Sequence, residues 1–253
     1  MKRGLLFSLV GIGAFLFFLI AKTPASLIPT LAPEHEQLSL QATSGTIWNG
    51  RIGQIQAGPM RLGPAEWNLR ASRLLLGRLD ADINLEIECG NVDARIVMRP
   101  GGRIEIPEAT GLSIPLAPFA PVFNQAADSI HGEAGFQARD LVLLGDTLQQ
   151  GEVDLRVFDL VLNLMGRHAL GNFTGHANGQ SAEFEVNFSD VGDDGPFRVQ
   201  GNIDYRAEER RYELEARIGA REHAPANLAG ALQYLGEQDE DGLYPVRFGG
   251  RVF

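Results

Sequence analysis

The fold is decided by the stretch LDADINLEIECGNVDARIVMR, which covers residues 79–99. Apolar side chains alternate with Asp, Asn and Glu from Leu79 to Ile87, and a similar alternation resumes from Val92 to Met98. A period of two places apolar side chains on one face of a strand and polar ones on the other. Gly90-Asn91 between the two runs is a turn signal. The stretch therefore predicts an antiparallel hairpin with one buried and one solvated face.

The same alternation recurs along the later chain. Val153–Val157, Phe184–Phe188 and Tyr212–Ile218 carry apolar residues at every second position, and residues 204–210 pair the last run with a strand near Phe197–Tyr205. Glycines after several predicted strand starts are typical of bulges or bends in a long sheet. We therefore predict a mainly β fold, either a curved antiparallel sheet or a two-layer β-sandwich, with about a dozen or more strands.

Helix signals are scarce beyond residue 22. The strongest covers Leu228–Leu235, where Asn227 can cap the first turn and Gly236 can end the last. The prolines between Pro115 and Pro121 exclude a central strand there. The sequence therefore predicts one short helix and a proline-rich connection within the β fold.

The first 22 residues have the composition of a membrane anchor. Lys2 and Arg3 precede the uncharged residues 4–21, which as a helix would be about 27 Å long, close to the roughly 30 Å of bilayer hydrocarbon. The preceding cations favour a cytoplasmic N-terminus. We expect residues 1–22 to be a retained transmembrane helix, with a cleaved signal peptide as the alternative. Residues 23–33 would then be a proline-containing spacer, and residues 34–253 a periplasmic β domain.

Charge and cysteine content narrow the classes of partner. The formal charge is −10, and Lys2, Arg3 and Lys22 flank the apolar segment, so residues 23–253 carry −13. An acidic domain is a poor match for nucleic acid or anionic lipid headgroups. The single cysteine, Cys89, cannot form an intramolecular disulfide, and we expect it to be a buried thiol.

Motifs for catalysis or cofactor binding are not found in the sequence. The five histidines are scattered, and no Cys or acidic residue completes a zinc-ligand spacing. Glu237, Asp239, Asp241 and Gly242 match the first half of a calcium loop, but Phe248 stands where a bidentate Glu is required. We therefore predict a solvated acidic turn, and a protein that is not an enzyme and uses no metal or cofactor.

Several short motifs resemble one known family. They are PASL at 24–27, SGTIWNG at 44–50, LGPAEWNL at 62–69, LLLGRL at 74–79, and LGE, DGLYP and GGRV between 235 and 252. Together they resemble protein N of the bacterial type II (general) secretion pathway over nearly the whole chain. The structural or interaction residues that the motifs single out are Gly45, Thr46, Trp48, Gly50, Trp67 and Gly77.

This resemblance implies a function and a location. The family is a non-catalytic, single-pass inner-membrane protein with its bulk in the periplasm, and it assists the export of folded proteins across the outer membrane. The implied partners are other type II secretion subunits, which are the inner-membrane platform and, as a further candidate, the secretin. Lipid is another candidate partner, and nucleic acid is not.

Two alternatives stay open. One is a periplasmic lipid-handling or lipid-transfer protein of the AsmA/TamB type, in which one sheet face forms an apolar groove for acyl chains. The positions of Ile83, Leu85, Phe184 and Phe188 distinguish the two hypotheses, because these side chains either close a dry core or line an open channel. The other alternative is an enzyme, which a cleft with two titratable side chains within hydrogen-bonding distance would indicate.

Overall fold

The computed structural model describes residues 22–27, 38–57, 60–74, 76–123, 126, 128–145, 147–163 and 166–251. Within these ranges fourteen strands form one antiparallel sheet. Their bounds are β1 (Leu38–Gly45), β2 (Asn49–Ala57), β3 (Met60–Leu62), β4 (Ala65–Leu69), β5 (Leu79–Ile87), β6 (Gly90–Arg99), β7 (Arg103–Pro115), β8 (Ile130–Leu144), β9 (Thr147–Asn163), β10 (Arg167–Gln180), β11 (Glu183–Val191), β12 (Phe197–Arg206), β13 (Arg211–Ala220) and β14 (Tyr244–Arg251).

The topology is a meander. Strand order in the sheet follows chain order, except that the short β3 pairs only with β2, and β4 takes the next place. Each strand is therefore joined to its spatial neighbour by a local connection. The predicted antiparallel β fold is confirmed, and in the described chain it is a single sheet, so the alternative of a two-layer β-sandwich is wrong.

The predicted hairpin over residues 79–99 is present, and its turn lies earlier in the chain than predicted. Leu79 pairs with Met98, and Ile87 pairs with Gly90. Glu88 and Cys89 are therefore the turn residues, two positions before the predicted Gly90-Asn91. Cys89 is exposed at this turn. The expectation of a buried thiol was wrong, because the hairpin reverses at that residue.

Cross-strand register gives the two faces of the sheet opposite chemistry. One register row carries apolar side chains or glycine through β2 and β4 to β14: Gly50, Trp67, Ile83, Ala94, Ala109, Ala138, Val153, Ala177, Val186, Ile203, Leu214 and Phe248. The adjacent row on the other face is polar throughout: Arg51, Glu66, Asn84, Asp93, Thr110, Gln137, Asp154, His176, Asn187, Asn202, Glu215 and Arg247. The alternation read from the sequence thus becomes two continuous surfaces.

The apolar face is only partly covered. Most of its best-buried residues are small, as at Ala109 and Ala138, whereas Leu155 and Phe248 are 40% and 62% exposed. In the described chain, the largest side chain that is less than 2% exposed is the polar Asp80. The sheet therefore lacks the dry core that a second layer would create.

In the described part of the chain the helical segments are short. They are α1 (Ala71–Leu74), α2 (Ala226–Ala231), and 3₁₀ segments at Ala25–Leu27, Ala117–Phe123 and Leu232–Leu235. The predicted helix near Leu228–Leu235 is α2 with its 3₁₀ extension, and Gly236 follows it at a φ of 127°. Asn227 is not its N-cap, because Pro225 occupies that position. The one-turn α1 was not predicted.

The predicted membrane anchor, residues 1–22, lies outside the described residues except for Lys22. In the part of the chain that the structure describes, no helix has the length and apolar character needed to cross a membrane. The predicted spacer is described only as far as Leu27, and its first residues contact the sheet: Pro24 forms an isolated bridge with Thr46.

Candidate interaction surfaces of the sheet

The SGTIWNG motif forms the turn between β1 and β2. Gly45 has a φ of 90°, a left-handed conformation that favours glycine. The Thr46 backbone N–H donates to the Asn49 carbonyl at 2.8 Å, and the Asn49 N–H donates to Thr46 Oγ1 at 3.2 Å. Gly45 and Thr46 are therefore residues that set the turn geometry.

Trp67 joins this turn to β4. Its indole Nε1–H donates to the Ile47 carbonyl at 3.0 Å. The ring lies against Gly50, where a Cβ would overlap it. The Leu69 N–H donates to the Trp48 carbonyl at 2.6 Å. The structure thus brings together five of the six motif residues, and the glycine at position 50 is explained by the tryptophan that covers it.

Gly77 lies in a separate turn, between α1 and β5. Its φ is 69°, and its N–H donates to the Leu74 carbonyl at 2.9 Å. The role of this glycine is to reverse the chain after α1.

The chain preceding β1 is hydrogen-bonded to the same motif. The Ile47 N–H donates to the Thr23 carbonyl at 3.0 Å, and Ala25 is fully buried. The SGTIWNG turn is thus the point where the chain that follows residue 22 meets the sheet.

A groove of about 700 Å³, called the polar groove after the polar register row that it crosses, extends over β9 to β14. Its lining includes Asp154, His176, Asn187, Asn202 and Arg247 from the polar register row. Asp154 Oδ1 and His176 Nδ1 are 2.8 Å apart, and this hydrogen bond is the main reason that the pKa of Asp154 lies below its ordinary value. The enzyme alternative requires a cleft that holds two titratable side chains within hydrogen-bonding distance. Asp154 and His176 meet the distance requirement, but each side chain is 45% exposed to solvent.

The same pair is part of the group that could hold a metal. Within the described ranges, ligand atoms of Glu152, Asp154 and His176 lie within 4.8 Å of one another. Arg139 Nη1 already contacts Glu152 Oε1 at 3.3 Å and Asp154 Oδ2 at 3.4 Å. A guanidinium that neutralises both carboxylates competes with a cation, so the arrangement is that of an ion-pair network.

The opposite face carries an apolar groove of about 340 Å³ over β8 to β13. Its lining is almost entirely hydrocarbon and ring surface: Leu141, Leu148, Gly151, Val153, Ala177, Phe184, Val186, Ile203, Tyr205 and Tyr212. Phe184 is 7% exposed at its floor, while Ile83, Leu85 and Phe188 are half-buried on the same face. Ile83, Leu85 and Phe188 are therefore only partly covered, whereas Phe184 is buried.

The acidic turn before β14 is organised by an arginine. Arg217 Nε donates to Asp239 Oδ2 at 2.7 Å, and its Nη2 donates to Asp241. Asp239 also accepts the backbone N–H groups of Asp241 and Leu243. These contacts, Arg217 first, lower the pKa of Asp239. The turn was predicted to be solvated; the side chain of Asp241 is 70% exposed, whereas that of Asp239 is 25% exposed.

The sequence patterns did not predict the ion pair between the buried Asp80 and Arg95. Asp80 is 1% exposed and receives Arg95 Nε at 3.0 Å and Nη2 at 2.7 Å. The hydrogen bonds from Arg95 are the largest cause of its lowered pKa. Asp80 was assigned to a wet face by alternation alone, and only its pairing with a positive residue on the next strand could have indicated burial.

These surfaces define a class of protein, an open antiparallel meander with one polar and one apolar face. A family model described as "Type II secretion system (T2SS), protein N" matches residues 36–247. The chain belongs to the type II secretion system protein N family, and the resemblance read from its motifs is confirmed.

Two relatives carry that name. The type II secretion system protein N of Vibrio cholerae serotype O1 is 39% identical over 87 residues, which cover 33% of each chain. The one from Aeromonas hydrophila is 22% identical over 278 residues, which cover 100% of both chains. The aligned part thus spans about a third of the Vibrio protein and the full length of the Aeromonas protein. No solved structure matches the chain.

Proposed function

We propose that this protein is a non-catalytic subunit of a type II secretion system, anchored in the inner membrane by residues 1–22 with its sheet in the periplasm. In this role it assists the export of folded proteins across the outer membrane. The observation that carries the proposal is the family match over residues 36–247. The apolar segment at 4–21 supports the anchor, and the solvent exposure of Asp154 and His176, 45% for each side chain, supports a role without catalysis.

The sheet suggests how such a subunit contacts its partners. β14 pairs only with β13 in the described chain, so its other side has backbone groups available for an added strand. Pro245 interrupts that edge because it has no N–H, which leaves the part from Val246 to Arg251 as the better template. The candidate partners are subunits of the inner-membrane platform and the secretin.

Deletion in the native host tests the proposal. Secreted proteins are assayed in medium and periplasm for the wild type, the deletion strain and the deletion strain complemented with the intact chain. We expect folded exoproteins to accumulate in the periplasm of the deletion strain and complementation to restore export. Unchanged export after deletion would contradict a required role in secretion.

Complementation with a double variant separates scaffold from enzyme. Asp154→Asn with His176→Gln removes the titratable pair while keeping the size of both side chains. We expect full export from this variant if the protein is not an enzyme. If the variant has the same thermal unfolding midpoint as the wild type and still fails to restore export, catalysis at the polar groove would be favoured instead.

Lipid handling is a second candidate, favoured by the open apolar groove that Val186 and Phe184 line. A photo-crosslinking amino acid at Val186 should capture lipid in cells, because this side chain lies in the groove. The matched control is Asn187, the next residue along β11, which lies on the polar face. Equal lipid capture at both positions, or none at either, would count against a lipid-binding groove.

A further inference from the structure

Charge is divided between the two ends of the strands. The near rim is the end of the sheet that contains the SGTIWNG turn, and the far rim is the opposite end. The near rim comprises the described residues within 45–49, 69–79, 98–103, 144–147, 180–183, 206–211 and 251. The far rim comprises the described residues within 57–65, 87–90, 115–130, 163–167, 191–197 and 220–244. Strand pairing places each set of turns along one edge of the sheet.

The near rim is basic and the far rim is acidic. The charged residues of the near rim are Arg70, Arg73, Arg78, Arg99, Arg103, Arg206, Arg210, Arg211 and Arg251, against Glu183, Glu208 and Glu209. Those of the far rim are Glu88, Asp128, Asp193, Asp194, Glu222, Glu237, Asp239, Glu240 and Asp241, against Arg61, Arg167 and Arg221. The near rim therefore carries an excess of arginine, although the net charge of the chain is −10.

Like charges are also neighbours on the near rim. Arg99 pairs with Arg103 across β6 and β7, and Arg206, Arg211 and Arg251 are cross-strand neighbours on β12, β13 and β14. Directly opposed like charges destabilise a sheet. Glu105, just inside the rim, contacts both Arg99 and Arg103 at 2.8 Å, and Glu213 contacts Arg211 at 3.2 Å, so these carboxylates offset part of the repulsion.

The segment from Arg70 to Arg78 combines this charge with exposed leucines. Leu74 and Leu76 are 42% and 67% exposed, and arginines stand at both ends of the segment and within α1. The Arg70 N–H donates to the Asp80 carbonyl at 2.8 Å, and Arg70 Nη2 donates to Asp82 Oδ2 at 2.7 Å. These bonds attach the start of the segment to β5. Apolar side chains flanked by cations are typical of segments that bind the bilayer interface.

The same rim receives the chain from the predicted anchor. The Thr23 carbonyl accepts the Ile47 N–H, and the Leu69 N–H donates to the Trp48 carbonyl immediately before the segment begins at Arg70. Only Lys22 separates Thr23 from the apolar residues 4–21. A membrane that held residues 4–21 would therefore lie beside the near rim.

We propose that the near rim, chiefly residues 70–74 and 76–78, docks on the anionic headgroup surface of the membrane that anchors the chain. The inference rests on the membrane anchoring in the proposed function. Leu74 and Leu76 enter the interface, while Arg73 and Arg78 bind phosphate groups. The far rim then faces away from the membrane, so the sheet stands with its strands directed into the periplasm.

The overall acidity of the chain does not oppose this orientation. A ten-residue strand such as β12 separates the rims by about 30 Å, whereas the Debye length at physiological ionic strength is about 8 Å. A headgroup at the near rim is therefore screened from the far carboxylates. Repulsion between those carboxylates and an anionic surface favours the same orientation.

Fluorescence quenching in lipid nanodiscs tests the proposal on the full-length chain. A bimane fluorophore is attached either to Leu76→Cys in a Cys89→Ser background, or to the native Cys89, which is exposed at the far rim. The discs contain headgroup spin-labelled lipid, with phosphatidylcholine alone or with about 30 mol% phosphatidylglycerol. We expect at least about twofold stronger quenching at position 76 than at Cys89, because an interfacial segment lies about 5–10 Å into the headgroup boundary.

Matched variants separate the contributions of leucine and arginine. With bimane attached to Leu74→Cys, Leu76→Ser should reduce the quenching, and Leu112→Ser should not, although Leu112 is 69% exposed and Leu76 is 67% exposed. Arg73→Gln with Arg103→Gln should weaken docking in anionic discs by about fivefold per arginine. The far-rim pair Arg61→Gln with Arg167→Gln should leave docking unchanged.

Three outcomes would overturn the proposal, and they differ from one another. The first outcome is a chain that enters anionic discs but is quenched no more strongly at position 76 than at Cys89. This outcome would contradict docking and would still be consistent with the membrane anchor. Quenching that is indifferent to phosphatidylglycerol would show that the arginines serve another purpose, such as an acidic partner subunit. A chain that fails to enter discs would contradict both the docking and the membrane anchor on which it rests.

Discussion

At the scale of single residues, some glycines in this sheet lie directly against aromatic rings that a larger residue would overlap. Trp67 covers Gly50, and Phe188 lies against Gly201. These glycines differ from those that the chain needs for backbone conformation, such as Gly132, whose φ is 128° at a register shift in β8. The expected bulge explains Gly132, whereas ring packing explains Gly50 and Gly201.

Substitution of Gly50 should test this distinction. We expect Gly50→Ala to lower the free energy of unfolding by about 1–3 kcal/mol, because the added methyl group overlaps the Trp67 ring. Gly175→Ala, also within a strand, is the control, since its nearest heavy atoms stand 3.8 Å from the added Cβ. Urea unfolding of both variants provides the measurement, and equal losses would refute a specific glycine–tryptophan contact.

The buried Asp80 should make stability depend on pH in the acid range. Its ordinary pKa is 3.8, and Arg95 lowers that value in the folded chain. The stabilisation is therefore complete above pH 3.8 and is lost as the pH falls through the lower folded pKa. We expect Asp80→Asn to cost about 1–3 kcal/mol at neutral pH and to reduce the acid slope of stability.

Thermal unfolding between neutral pH and pH 3 checks this expectation. Glu208→Gln, in the exposed turn between β12 and β13, is the control for the loss of one carboxylate. If Asp80→Asn kept the wild-type slope, the ion pair with Arg95 would not be the source of acid sensitivity.

At the scale of elements, bulges occur where the sequence has no glycine. Ala42, Ser113, Asp140 and Asp159 have φ values near 50° within β1, β7, β8 and β9. Register shifts accompany Ser113, Asp140 and Asp159, whereas the pairing on either side of Ala42 keeps one register. A bulge bends the strand and increases its twist, so Ser113, Asp140 and Asp159 are candidates for the points at which the sheet curves.

Ala42→Gly should therefore stabilise the protein. A left-handed conformation costs an L-residue about 1–2 kcal/mol, which exceeds the entropic cost of glycine of about 0.5–1 kcal/mol. Ala169 is the matched control, an exposed strand alanine without a positive φ, and Ala169→Gly should destabilise. Opposite shifts in unfolding midpoint are expected, and shifts of the same sign would argue against strain at Ala42.

The sequence predicted the strands well because each strand places its apolar side chains on one face of the sheet, which requires a period of two from Leu79 onward. It placed the first turn two residues late, since Glu88 adopts the positive φ that glycine was expected to supply at Gly90. The choice between open sheet and sandwich depends on whether a second layer covers Leu155 and Phe248, and strand periodicity is the same in both. The Asp154–His176 pair joins β9 to β10 over 22 positions, a distance no local motif encodes.

At the scale of the whole molecule, one open sheet presents four distinct surfaces. Its faces are polar and apolar, and its ends are basic and acidic. In the proposed arrangement the basic near rim meets the membrane, the apolar groove is available to a lipid, and the β14 edge is available to a partner strand. In this arrangement the near rim, the apolar groove and the β14 edge are accessible to three different partners.

Tethering to the membrane is the central claim, and release of the sheet tests it most directly. The deletion strain is complemented either with the intact chain or with residues 23–253 behind a cleavable signal peptide, at matched periplasmic levels. We predict that the intact chain restores export of folded exoproteins to the medium, whereas the released sheet leaves them in the periplasm. Equal export by the released sheet would contradict a protein that works by being held at the inner membrane.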